Sequence, residues 1–327
     1  MSLLNQVSTK KKQKPLALLV YGVHGVGKTS LPMEAEAPVY VTSEENDEYD
    51  IARFPRVDSW DVFKAQLKTL REEKHDFQTL VIDTMDTFEQ LAEKHILSKD
   101  NAKSMVLAYG GFGKAYDVMA EMFLDIRDNY LIPLRDKKGM QIVILCHSDQ
   151  TKKEDPVTNT SYDRYVTALH KKVKPIFQDW VSAIFFINYD LVKLQRKGDG
   201  KEILEGIDGK RVIFTEERPS HDGKNRFDLP YEIPFDKTGT WDLLKCYVNA
   251  YYQHAETAKG KSPEKADSDK ETIEIMKEID RLAPQMPEEL RAPISVTIEK
   301  ALTKDESKRI LELNRILKKM KSTIGEK

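Results

Sequence analysis

The sequence predicts an α/β protein: a mainly parallel sheet flanked by helices, followed by a small helical module. Three observations carry this. The apolar run from Leu16 to Tyr21 has strand length and leads directly into Gly22-Val23-His24-Gly25-Val26-Gly27-Lys28-Thr29, which fits G-x-x-x-x-G-K-S/T at every fixed position. Further short apolar runs, Val39 to Ser43, Thr79 to Thr84, Gln141 to Cys146 and Val181 to Asn188, are separated by stretches with helical periodicity. Beyond residue 270 the periodicity is helical only.

Composition sets the limits. A chain of 327 residues accommodates one α/β core of roughly 200 to 250 residues and an appendage. With 40 % hydrophobic and 32 % charged residues and a net charge of -2, a soluble protein with mixed surfaces is expected, and any polyanion site must be local. Cys146 and Cys246 are too few for a disulfide framework and suit a reducing cytoplasm. No apolar run approaches the roughly 20 residues that span a bilayer, and no signal-peptide core is present at the N-terminus. A cytoplasmic protein without a membrane partner is therefore expected. Residues 1–14 form a basic arm with Lys10, Lys11, Lys12 and Lys14, residues 15–253 the core, residues 254–270 a linker without a large apolar side chain, and residues 271–327 the helical module.

The phosphate loop points to ATP and Mg²⁺. Backbone N–H groups over Gly22, His24, Gly25, Val26, Gly27, Lys28, Thr29 and Ser30 turn into one concavity, Lys28 reaches the β- and γ-oxygens, and the Thr29 hydroxyl is a Mg²⁺ ligand. A short helix is expected to open at Thr29-Ser30-Leu31 and end near Pro38. The strand ending at Asp83 supplies the second metal group. Thr84 follows it, so the Asp-Glu pair of many motor ATPases is missing and the carboxylate that orients water must come from elsewhere. Glu44 or Glu45 is the natural source, opening a run of five acids (44, 45, 47, 48 and 50) at the end of a strand expected beside the nucleotide strand; a solvated loop is the alternative. His147, at the end of another core strand, is either placed to sense the γ-phosphate or a structural histidine. Asp83-Thr84-Met85-Asp86 is not D-x-x-G and no N-K-x-D is found, which argues against a GTPase.

Elsewhere, helices are expected over 59–76, 84–98, 114–130, 165–180 and 241–252. Tyr109-Gly110-Gly111-Phe112-Gly113-Lys114 reads either as a turn or as a mobile loop whose rings stack on bases. Residues 149–164 read as a polar surface loop. Glycine-rich turns at 198–200 and 206–209 bracket a hairpin region. Lys224 and Arg226 lie in a loop that could reach a nucleotide held by a neighbouring subunit. The tail shows three helices, the third opened by the capping box Thr303-x-x-Glu306. Lys300 to Lys321 holds eight basic and three acidic residues, a DNA or partner surface or a solvated face.

The order of parts resembles the RecA-type ATPase core, in which the catalytic glutamate lies on the strand neighbouring the phosphate loop. With Arg218-Pro219 and Gly223-Lys224-Asn225-Arg226-Phe227-Asp228-Leu229-Pro230, it is similar to bacteriophage RecA-like single-strand annealing or recombination ATPases. The resemblance implies ATP hydrolysis between subunits of a homo-oligomer, single-stranded DNA bound by the loops at about 99–113 and 148–164, and work in the bacterial host cytoplasm. A second reading is an ATP-controlled loader or regulator that binds another phage replication or recombination protein through its helical tail.

Overall fold

A computed structural model describes residues 13–44, 49–155, 159–195, 202–236, 238–257, 275–279, 281–287, 290, 294, 297–298, 301 and 306–325. Lys10 to Lys12, Glu45, the turn at 198–200, linker residues 258–270 and Thr303 of the capping box lie outside these. Two compact units result, Lys12–Val248 and a C-terminal unit from Asn249 onward.

The first unit is built on nine described strands: β1 (Ala17–Gly22), β2 (Pro38–Thr42), β3 (Thr79–Asp83), β4 (Gln141–Asp155), β5 (Thr160–Thr167), β6 (Ala183–Gln195), β7 (Glu202–Phe214), β8 (Lys224–Asn225) and β9 (Glu232–Pro234). Their order is β2-β3-β4-β1-β6-β7-β9, with β5 beside β4 and β8 beside β6. The first five in that order run parallel; β5, β7, β8 and β9 pair antiparallel. This is the expected α/β architecture, a mixed, mostly parallel sheet flanked by helices. Being covered on both faces, β1 is buried throughout. Ala17, Leu19 and Tyr21 join a core shared with α1 (Trp60–Glu72), α2 (Met85–Asp100) and α3 (Lys114–Ile126). Phe63 of α1 stacks on Phe88 of α2 with centroids 4.2 Å apart, and Trp60 meets Phe123 edge-on.

Several expectations are corrected. The segment after the phosphate loop is a single 3₁₀ turn, Leu31–Glu34, not an α-helix. Nine residue steps separate Thr29 from Pro38, and they must run from the carboxyl end of β1 to the foot of β2, beyond β4 and β3. That path is roughly 20 Å at ~4.8 Å per strand and ~3.3 Å per strand residue; an α-helix would cover only about 14 Å. The expected neighbour relation also fails: β2 is the edge strand, with β3 and β4 between it and β1. Residues 149–155 and 160–164 are not a loop. They extend β4 and pair it antiparallel with β5, Lys152 opposite Asp163 and Glu154 opposite Ser161. The helix expected over 165–180 shrinks to α5 (Lys174–Trp180), because Tyr165-Val166-Thr167 complete β5. The third helix ends at Ile126 and continues through a π turn, Arg127–Leu131, into α4 (Ile132–Asp136). Gly206 to Gly209 lie within β7 rather than at a turn.

Helix α6 (Thr240–Thr257) runs into the first residues assigned to the linker. In the C-terminal unit Ile275, Ile279, Leu282, Met286, Leu313, Ile316 and Met320 form a small core, and Lys321 pairs with Glu278 at 3.0 Å. Leu290 is exposed. The Lys14 ammonium of the basic arm pairs with Asp136 at 2.7 Å.

The aromatic stack sets a contrast. Phe63→Ala removes a fully buried ring and should cost about 3–5 kcal/mol in urea unfolding. Phe112→Ala, at a ring 99 % exposed, should stay within about 0.5 kcal/mol of wild type.

Candidate functional site

Gly22 ends β1 against β6, where an added Cβ would stand 2.3 Å from the Ile187 carbonyl oxygen. The chain then turns through Gly25 and Gly27, with φ of 72° and 96°. At that φ a side chain on Gly27 would be strained, and a Cβ there would also displace a guanidinium nitrogen of Arg211. Inside the turn the buried Lys28 ammonium donates to the carbonyls of Gly22 (3.1 Å) and Val23 (3.0 Å). The Thr29 hydroxyl donates to Asp83 Oδ2 at 2.9 Å, and Tyr40 from β2 donates to the Thr29 carbonyl at 3.0 Å. The Ser30 hydroxyl turns back to the Gly27 carbonyl.

These groups are electrostatically taut. Burial pushes the Asp83 carboxyl up to about 6, with the Glu44 charge acting in the same sense and the Thr29 hydrogen bond and Lys28 opposing. Burial also lowers the Lys28 ammonium, against the pull of Asp83, Asp86 and Glu44. Among the described residues no three His, Cys, Asp or Glu side chains could hold a metal by themselves. Thr29 and Asp83 do offer two oxygens side by side, which fits Mg²⁺, an ion usually held by one or two protein groups plus substrate phosphates.

His147 sits one residue past Cys146 on β4, directly between the ends of β1 and β3. Its backbone N–H donates to Asp86 Oδ1 at 2.9 Å and its Nδ1 bonds Asp86 Oδ2 at 2.7 Å. Burial pushes the Asp86 carboxyl up, but the bonds from His147 more than offset this and leave it below its ordinary range. An ionised Asp86 fixes the proton on Nδ1 and leaves Nε2 for the site. The His147 ring stacks on His24 of the loop, centroids 4.2 Å apart. Asp86 escaped the sequence reading, although a carboxylate in the first turn after Asp83 was a usable signal.

Glu44 enters from the edge strand. Thr42 is level with Asp83, the Ser43 hydroxyl bonds Thr87 of α2, and the Glu44 amide bonds the Thr42 hydroxyl at 3.0 Å. Its exposed carboxylate is close enough for its charge to act on both Lys28 and Asp83.

Lys224 and Arg226 are not brought to this site. Lys224 pairs with Ile184 near the foot of β6, the end opposite Gly22↔Ile187, and its ammonium donates to the carbonyls of Gln178 and Asp179. The exposed Arg226 follows it. The second expected DNA loop loses a cation as well, since Arg164 is buried between Glu217 and Asp222. By contrast Tyr189 and Arg211, both missed, reach the loop: Tyr189 Oη lies 3.5 Å from the Gly25 carbonyl and Arg211 Nη1 donates to the Val26 carbonyl at 3.1 Å. Nothing in their local sequence signals this, because a β6–β7 register places them.

The stretch at 109–113 holds five consecutive residues at positive φ, Tyr109, Gly110, Gly111, Phe112 and Gly113. Phe112 is 99 % exposed and Val106, Leu107 and Tyr109 are exposed nearby. The next turn of α3 is tied back to the site: Tyr116 stacks on His170 at 4.4 Å, the His170 amide donates to both Glu89 oxygens, and the Ala168 amide donates to the His147 carbonyl.

Comparison with known proteins adds two findings. The profile of a family described as "AAA domain" matches residues 14–227. The SPbeta prophage-derived uncharacterized protein YorG of Bacillus subtilis (strain 168) is 24 % identical over 141 residues, 42 % of this chain and 42 % of that protein; the chain thus matches less than half the length of this relative. No described helix is long and apolar enough to cross a membrane.

A raised carboxyl favours folding below its unfolded value and loses that contribution as pH rises through the folded value. Here the window runs from 3.8 to about 6. In metal-free protein at pH 7.5, Asp83→Asn should therefore raise stability by about 2 kcal/mol, read by thermal or urea unfolding. At pH 4 most of that gain should vanish, because wild-type Asp83 is by then protonated.

Proposed function

We propose, for a chain that belongs to the AAA domain family, that it hydrolyses ATP with Mg²⁺ and couples this to single-stranded DNA in bacteriophage recombination, annealing or replication. The observation that carries the ATPase reading is the set of buried Lys28 and Asp83 with the half-buried Thr29 hydroxyl at one end of the sheet. The loop amides and Lys28 bind and orient the phosphates, while Thr29 and Asp83 hold the metal. Mg²⁺, when bound, supplies neutralisation of phosphate charge. Glu44 orients the attacking water and accepts its proton. His147, held by Asp86 with Nε2 free, reads the state of the γ-phosphate. Phosphoryl transfer depends more on such positioning and charge than on covalent chemistry.

The DNA reading is supported by the left-handed run at 109–113. Tyr109 and Phe112 hold φ of 54° and 58°, a conformation that costs a side-chain-bearing residue about 1–2 kcal/mol each, yet Phe112 is spent on solvent. Function is a reason to hold an aromatic ring out at that cost, and base stacking is a fitting one, with Lys99, Lys103 and Lys114 nearby in sequence for the backbone. The relative's prophage origin favours the phage setting.

Steady-state hydrolysis with and without single-stranded DNA, at two salt concentrations, tests the whole reading. Lys28→Ala should lose binding or turnover. Glu44→Gln should bind ATP but turn over at least about a hundredfold more slowly; wild-type turnover would remove Glu44 from its role. DNA stimulation should weaken with salt, and Phe112→Ala should reduce DNA affinity about tenfold in an anisotropy titration. Hydrolysis indifferent to DNA would refute the coupling and shift attention to the helical tail as the output.

A further inference from the structure

We infer that Arg211 is a second cation for the phosphates of the nucleotide bound by its own chain, leaving the Val26 carbonyl for the phosphate oxygens when the loop fills. The inference rests on the ATP-binding reading above and adds a residue to it. Arg211 stands on β7 opposite Tyr189, at the last paired position before the β6–β7 register shifts. Its guanidinium lies against the phosphate loop, with Nη1 donating to Val26 at 3.1 Å and within 2.4 Å of where a Gly27 Cβ would be. Its other face covers the Phe235 ring, 4.3 Å from the centroid.

What is unusual is its balance of partners. A guanidinium carries five N–H donors in a fixed fork, and a single hydrogen bond to a neutral carbonyl uses one of them. Among the described residues Arg211 has no carboxylate partner, whereas Arg164 is paired with two carboxylates and Arg135 with Asp136. A half-buried cation with spare donors, set beside a loop shaped for a polyanion, is short of an anion. Planar guanidinium groups bind phosphate oxygens in pairs, and the aromatic face of Phe235 orients the fork while leaving its edge free. Gly27 has a second duty on this view, since any side chain there would push the guanidinium off the loop. Lys28 approaches from beneath, bonded to Gly22 and Val23, so the two cations reach the loop from different sides.

The test is calorimetric titration of MgATP and MgADP into the full-length wild type, Arg211→Ala, Arg211→Lys and Lys28→Ala, with the nucleotide-free melting temperature of each. Loss of a charge-assisted phosphate contact should weaken MgATP binding to Arg211→Ala by about tenfold or more. Arg211→Lys should recover much of it, with nucleotide-free melting temperatures near wild type. Wild-type affinity in Arg211→Ala overturns the inference. So does an affinity loss shared equally by Ala and Lys and matched by a fall in nucleotide-free melting temperature, which would make Arg211 only a brace for Val26. If wild type itself fails to bind MgATP, the ATPase reading falls too; if wild type binds and Lys28→Ala does not, only the role of Arg211 is at stake.

Discussion

An ammonium and a carboxylate withdrawn from water at one end of the sheet set the terms for this structure. Lys28 and Asp83 are both buried, and neither gains a direct ion pair with the other; Lys28 spends its donors on carbonyls and Asp83 accepts from Thr29. Burying each charge costs free energy, and the nucleotide and Mg²⁺ proposed above would offset that cost at both groups. The rest of the first unit can be read as what holds the two groups in place: five parallel strands fix the heights of Gly22 and Asp83, and Tyr40 reaches from the far edge to pin the Thr29 carbonyl.

The strand order gives His147 its importance. With β4 inserted between β1 and β3, whatever ends β4 faces the gap between the phosphate loop and Asp83. Asp86, from the first turn of α2, closes on that residue from the β3 side and His24 from the loop side. The His147 carbonyl accepts from the Ala168 amide, and Tyr116 of α3 stacks on His170, so packed residues connect the end of β4 with the turn that presents Phe112.

The parts legible in the sequence were those written in local terms. The phosphate loop, the strand ending at Asp83, α1 and the apolar strands each follow from residue type and spacing over a few positions. What escaped depended on distance through space. The α-helix expected after Thr29 was ruled out by how far the chain had to travel to reach β2, a length fixed by strand order. The arm of β4 and β5 is polar on both faces, so no alternation marked it as a strand. Glu44 was read as belonging beside β1 because consecutive strands often neighbour one another, but the crossover carries β2 to the edge.

Arg211 and Lys224 show the same limit from opposite directions. Lys224 lies in a stretch that looks chemically equipped, yet its ammonium donates to the carbonyls of Gln178 and Asp179 in α5, at the end of the sheet opposite the phosphate loop. Arg211 lies in a strand with no motif around it, yet pairing with Tyr189 delivers it to Val26 and Gly27. A cation's role is decided by which neutral or negative groups already claim its donors. By that measure Arg164 and Lys224 have their donors engaged within the chain, whereas Arg211 gives one hydrogen bond to a neutral carbonyl among the described residues.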